Sequence, residues 1–228
     1  MTRRGGVTPI VRAAIVAVVL ACGMAAAQDQ SGDLLRRATA AGNLADVQRL
    51  ISAGAALESR DGQGRSALLI AVDGNHIEIA RALLRAGASV NTQADNRDTP
   101  WLLAGASGRS EIVAAMIPAG PDLSIRNRYG GNALIPACER AHVETAKLLL
   151  TSKIDVNHVN NLGWTCLLEI VILGNGGPRH QEVAKLVLAA GADPNLADKD
   201  GVPPLTHALR RGQREVARLI EQAGGRER

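Results

Sequence analysis

The sequence predicts an all-α solenoid of about six helix-turn-helix units stacked in a row, with short extended segments and β-turn tips between them. Three observations predict it. The chain resembles itself at a fixed step of 33 residues, each copy opens on a capping residue and closes near a glycine, and its helices are short. Fixed-period self-similarity is the signature of repeat architectures. Isolated helices of about ten residues are marginal in water, so these must be stabilised by packing on their neighbours.

The unit is clearest from Asp61 to Asn91. One step of 33 places Ser66 on Thr99, Leu68 on Trp101, Ala71 on Ala104, Glu78 on Glu111 and Gly87 on Gly120; a second step reaches Asn132, Leu134, Ala137, Glu144 and Asn157. The front half steps by 33 again, from Leu134 to Leu167, whereas the back half steps by 38, from Glu144 to Glu182 and Asn157 to Asn195. Five extra residues therefore fall near Asn175 to Arg179. Leu35, Ala38, Val47, Ile51 and Gly54 form an earlier copy, and Pro204, Leu205, Ala208, Glu215, Ile220 and Gly224 a last one. The repeats run at about 29–58, 61–91, 94–124, 127–157, 160–195 and 198–225, within one domain of residues 28–228.

Each element of the unit has a local cause. Ser66 or Thr99 offers a side-chain oxygen to the orphan amides of a first helix, and Pro100 suits its first position because a missing N–H costs nothing there. Leu68, Ala71 and Val72 give that helix one apolar side. After the turn at Asn75-His76, a second helix carries Ile79, Leu83 and Leu84 on one face and stops at Gly87, suited to a left-handed cap. Asp61-Gly62 and Gly130-Gly131 are turn pairs at the tips. Two helix ends should be less regular, where Pro118 falls in a last turn and Lys153 replaces the terminal glycine. Trp101, standing where other copies have Leu, should be buried with its indole N–H on an acceptor.

A 33-residue unit of turn plus two helices around a T-P-L-H-x-A core resembles the ankyrin repeat. The residues that carry the resemblance are Thr99-Pro100-Trp101-Leu102-Leu103-Ala104, Pro203-Pro204-Leu205-Thr206-His207-Ala208, and the tails Gly87 to Asn91 and Gly191 to Asn195. It covers roughly Asp33 to Gly225. The resemblance implies a non-catalytic surface that recognises another protein.

Residues 1–27 read as a secretory signal. Arg3, Arg4 and Arg12 form a basic head, Ala13 to Leu20 is apolar, and Ala25-Ala26-Ala27 offers a small-x-small cleavage pattern. The uncharged run between Arg12 and Asp29 is 16 residues, short of the ~20 that span a bilayer. The chain is therefore expected to be periplasmic or secreted, free of the membrane after cleavage, and monomeric. An alternative keeps it tethered, through an uncleaved leader or through lipidation of Cys22 in Val19-Leu20-Ala21-Cys22.

Charge excludes more than it suggests. Of 26 basic residues three lie in the leader, which leaves 23 against 22 acidic ones. With no basic stripe and almost no aromatic side chains to stack bases, nucleic acid is not an expected partner. Cys138 falls late in one first helix and Cys166 at the start of the next. Helices about 10 Å apart, with an offset of about 7.5 Å along the axis, exceed the roughly 7 Å that a disulfide bridges, which predicts two buried free thiols.

No motif for catalysis, metal binding or phosphate binding stands out, and no cofactor is expected. His76, His142 and His180 occupy a turn position where this repeat keeps a structural His, and His158 and His207 lack partners at metal spacing. Asp73, Glu139 and Glu169 look solitary. An enzyme subunit with unrecognised chemistry stays as a remote alternative. Recognition is expected at the tips and on the concave side of the first helices: Gln63 and Arg65, Asn96 and Asp98, Arg128, Tyr129, Glu139 and Arg140, and Asn161, Leu162 and Trp164. Tyr129 and Trp164 are the expected anchors, because aromatic side chains dominate interface hot spots.

Overall fold

A computed structural model describes residues 30–227; residues 1–27, expected to be a signal sequence, and with them Cys22 lie outside the described residues. Helices come in pairs along the chain. Residues 30–40 (α1) precede Leu44–Ser52 (α2), followed by Ala67–Asp73 (α3) with Ile77–Arg85 (α4), Pro100–Ala106 (α5) with Ser110–Met116 (α6), Leu134–Glu139 (α7) with Val143–Thr151 (α8), Cys166–Ile172 (α9) with Pro178–Ala189 (α10), and Pro204–Arg210 (α11) with Arg214–Gln222 (α12). No strand occurs among the described residues. First helices pack on first helices, α3 on α5, α5 on α7, α7 on α9 and α9 on α11, while second helices stack on second helices from α2 to α12. The result is two layers of helices around one continuous core that runs from Leu35 to Ile220.

The expected caps form. Ser66, Thr99 and Thr165 accept hydrogen bonds from the backbone amides of Leu69, Leu102 and Leu168, and Gly87 closes α4 at φ 91°. The two irregular ends also form as expected: α6 gives way to a 3-10 turn over Ile117–Ala119, and Lys153 takes a left-handed φ of 63°. The five extra residues divide between a loop and a longer helix, since α10 has 12 residues where α4 and α8 have 9. That loop is anchored, because the buried Gln213 amide donates to the carbonyls of Val171 and Gly174.

Between copies, asparagines act as clasps. The Asn157 side chain donates to Gly191 O and accepts from Asp193 N, and Asn195 repeats the pattern with Gly224 O and Arg226 N. Asn91 does the same with Gly120 O and Asp122 N. Ser124, one period after Asn91, is too short for this and bonds Asp122 of its own loop instead.

Two expectations fail. Cys138 and Cys166 are joined in a disulfide with Cα atoms 5.5 Å apart, so they are not free thiols. For helices standing upright and level, the five-residue offset of Cys166 adds to the separation; here it closes the gap. The close approach occurs at a spacing of 28 residues: one repeat earlier, a Cβ on Gly105 would lie 2.6 Å from the carbonyl oxygen of Ala133. The start of each of these first helices thus leans on the late turn of the one before, and Cys138 and Cys166 occupy that contact in α7 and α9. Trp101 is 2 % exposed as expected, but its indole nitrogen has no acceptor. Its surroundings are a site built for Leu, walled by apolar side chains of the core.

The ring nevertheless fills that site, so Trp101→Ala should cost about 3–5 kcal/mol, as large-to-small core changes do. Chemical denaturation measures it; a loss below about 1 kcal/mol is incompatible with a buried ring.

Candidate protein-binding face

The tips are built by one recurring device. Asp61 accepts from the amides of Gln63 and Arg65, Asn127 from those of Tyr129 and Gly131, Asn160 from those of Leu162 and Trp164, and Asp198 from those of Asp200 and Val202. A short side chain that bonds the backbone two and four residues ahead fixes a tight turn without help from the core. Ala94 lacks the acceptor, and Asn96 substitutes by bonding Asp98 through both its amide atoms. The sequence marks these tips at Asp61-Gly62 and Gly130-Gly131; the matching acceptors at Asn127, Asn160 and Asp198 emerge from the structure.

The structure sorts the expected residues. Gln63, Asn96 and Asn161 are exposed, while Arg65 is half-buried and paired with Asp61 at 2.8 Å. Asp98 is half-buried beside Arg128 at 3.9 Å, and burial holds its carboxyl above the usual range. The Arg128 guanidinium lies 4.7 Å from the Tyr129 ring centre. Arg140 reaches back to Ala106 O at 2.6 Å. Tyr129 and Leu162 are 55 % and 52 % exposed, whereas Trp164 is partly buried against the core. The exposed apolar companion of Tyr129 is therefore Leu162, and the two line a common cleft.

That cleft, about 290 Å³, lies between α7 and α9. Ile135, Pro136, Leu162 and Leu173 supply apolar walls, and both Glu139 and Glu169 face it. The expectation of solitary carboxylates is corrected here. Glu139 and Glu169 are 30 residues apart, one period less about one helical turn, which brings them together across the stacked helices. Glu169 is 5 % exposed; Asn160 Nδ2 donates to its Oε1 at 2.9 Å, and Oε2 has no partner. Burial first, and the Glu139 charge second, push the Glu169 carboxyl up to about 7 against the pull of Asn160. Neither Asn160 nor Leu173 was anticipated as a site residue; the position of Glu169, one period after Pro136 and two after Leu103, is the signal that it stands in an apolar column.

The histidines serve structure. His180 bridges Glu139 O at 3.0 Å and Asn175 Oδ1 at 2.9 Å, His158 contacts Gly130 O at 2.6 Å, and His207 contacts Asp198 Oδ2 at 2.7 Å. His142 bonds the Ala106 carbonyl, and burial lowers its pKa. Among the described residues no group of three or more His, Cys, Asp or Glu side chains is placed to hold a metal ion.

The raised Glu169 pKa has a sign. As pH rises from about 4.5 towards about 7, the unfolded chain releases the proton while the folded chain keeps it, so stability falls across that window. Of the groups on neighbouring helices, Glu139 adds to the effect, while Arg140 and His207 are engaged by Ala106 and Asp198. Glu169→Gln should remove this component. Its stability relative to wild type should rise by on the order of 3 kcal/mol between pH 4.5 and 7.5, measured by denaturation at both; an unchanged difference excludes the burial of an ionisable carboxyl.

Comparison with known proteins agrees with this architecture. A family model described as ankyrin repeats (3 copies) matches residues 15–94, 35–127, 101–198 and 134–226. The ankyrin repeat protein YahD of Escherichia coli (strain K12) is 36 % identical over 184 residues, covering 80 % of this chain and 92 % of YahD. A crystal structure of an ankyrin repeat domain from Acinetobacter baumannii AYE is 47 % identical, with a TM-score of 0.81 over 84 % of this chain and 98 % of that one. The ankyrin repeat domain of Bcl-3, titled a unique member of the IkappaB protein family, is 27 % identical, with a TM-score of 0.75 over 85 % of this chain and 86 % of that one. With its period, its caps, its two-layer stack and these matches in agreement, the chain belongs to the ankyrin repeat family.

Proposed function

We propose that this chain is a non-catalytic scaffold, exported from the cytoplasm, which holds a protein partner on the first-helix face and adjoining tips of its central repeats. Ankyrin repeat proteins act as protein-interaction scaffolds, and the finer reading rests on one observation: Tyr129, Leu162 and Leu173, 50–55 % exposed, gather around a single cleft. Large apolar side chains grouped at a concavity are what an interface core requires, whereas hydrophobes scattered singly need no explanation. Export is supported by the leader sequence and by the Cys138–Cys166 bridge, since disulfides persist in oxidising compartments.

Tyr129→Ala combined with Leu162→Ala tests the site. Both side chains are more than half exposed, so the double variant should keep its stability within about 1 kcal/mol. It should bind a captured partner at least about tenfold more weakly, and unchanged affinity means that the partner sits elsewhere. Export is tested by the intact mass of the natively expressed chain without reduction. A start at Gln28 with a mass two hydrogens below the dithiol form is expected; a lipid on Cys22 or a retained leader would establish the tethered form instead, and a cytoplasmic dithiol chain would contradict export.

A further inference from the structure

The cleft between α7 and α9 has a chemistry more specific than an apolar patch. Its volume of about 290 Å³ falls just below the roughly 300–1,000 Å³ range of small-molecule sites, a size suited to one long side chain. Its lining combines the apolar Ile135, Pro136, Leu162 and Leu173 with two carboxylates, Glu139 and Glu169, and two guanidinium groups, Arg128 and Arg140. Glu169 Oε2 lacks a hydrogen-bond partner, and among the described residues no basic side chain is ion-paired to Glu169 or Glu139. The two arginines of the lining are engaged elsewhere, Arg128 beside Asp98 and Tyr129 and Arg140 with Ala106 O. A buried carboxylate without a counter-charge is costly, and the hydrogen bond from Asn160 serves only one of the two Glu169 oxygens.

We infer that this cleft receives an arginine side chain of the partner protein, with Glu169 as the acceptor at its floor and Glu139 as a second acceptor. The inference rests on the reading of this face as protein-binding. Arginine fits better than lysine for three reasons. Its planar fork of donors can serve two carboxylates at once, it is more weakly hydrated than an ammonium group, and its stem suits the walls of Ile135, Leu162 and Leu173. Tyr129 at the same cleft presents a ring on which a guanidinium stacks, as that of Arg128 already does. In the free structure Oε2 is closed off from water; rotation about the terminal torsion, which is broad for Glu, turns it towards the incoming donor.

Carbon-13 NMR of the glutamate carboxyls in the disulfide-linked chain tests this directly, with Glu169 assigned through Glu169→Gln. N-acetyl-arginine methylamide should lower the titration midpoint of Glu169 by about one pH unit once it is present at about ten times its Kd. N-acetyl-citrulline methylamide, of the same shape without the charge, should not. In Glu169→Gln, the affinity read from the amide shifts of Tyr129 and Leu162 should fall at least tenfold. An equal response to citrulline, or an unchanged affinity in the variant, overturns the pocket; an equal response to N-acetyl-lysine methylamide overturns the choice of arginine. If Glu169 responds to no probe while peptides selected from a random dodecapeptide library still bind at Tyr129 and Leu162, the arginine pocket is refuted and the scaffold reading stands. If no such peptide binds either, both fail.

Discussion

The closeness with which one first helix leans on the next governs this molecule. Where Gly105 meets Ala133 there is no space for a Cβ, and where Cys138 meets Cys166 the Cα atoms approach to 5.5 Å. Neither distance is compatible with bulky side chains at the contact. Around these contacts the core is mostly Ala, Leu, Ile and Val, with Trp101 and Met116 as bulkier members, in a chain without Phe. The close contact explains why each helix pair, too short to persist alone, is stable once stacked: burial is supplied by the neighbours, so stability is approximately a sum over repeats and interfaces.

The same closeness creates the polar anomalies. Packed first helices leave little water between them, so the Trp101 indole finds no acceptor and the Glu169 carboxyl is pushed up to about 7. Trp101 is enclosed within the core, where an unpartnered N–H costs about 1–3 kcal/mol and offers nothing in return. Glu169 faces a cleft on the exposed side of the helices. One position is a defect offset by packing; the other is an acceptor held ready for a donor from outside.

What could be read from the sequence was what each copy encodes for itself. Ser66 and Thr99 cap their own helices, Gly87 ends its own, and Asp61-Gly62 and Gly130-Gly131 mark their own tips. These are contacts over two to four residues, and local chemistry dictates them. The features that escaped notice arise between copies. The disulfide depends on a contact at 28 residues and the Glu139–Glu169 pair on one at 30, neither of which coincides with the period of 33. Helix tilt converts the period into these spacings, and nothing in a single repeat specifies the tilt. The expected pairing of Tyr129 with Trp164 failed for a related reason: Trp164 immediately precedes the Thr165 cap and is drawn partly into the core, which leaves Leu162 at the tip to accompany Tyr129.

If stacking is the source of stability, protection of the backbone must depend on how many neighbours a repeat has. Hydrogen exchange followed by mass spectrometry measures this along the chain under native conditions. Amides of α5 to α10, with a repeat on either side, should exchange most slowly, and those of α1, α2, α11 and α12 most rapidly. Uniform protection along the chain, or greatest protection in the terminal pairs, would contradict an account in which each repeat is held by its neighbours.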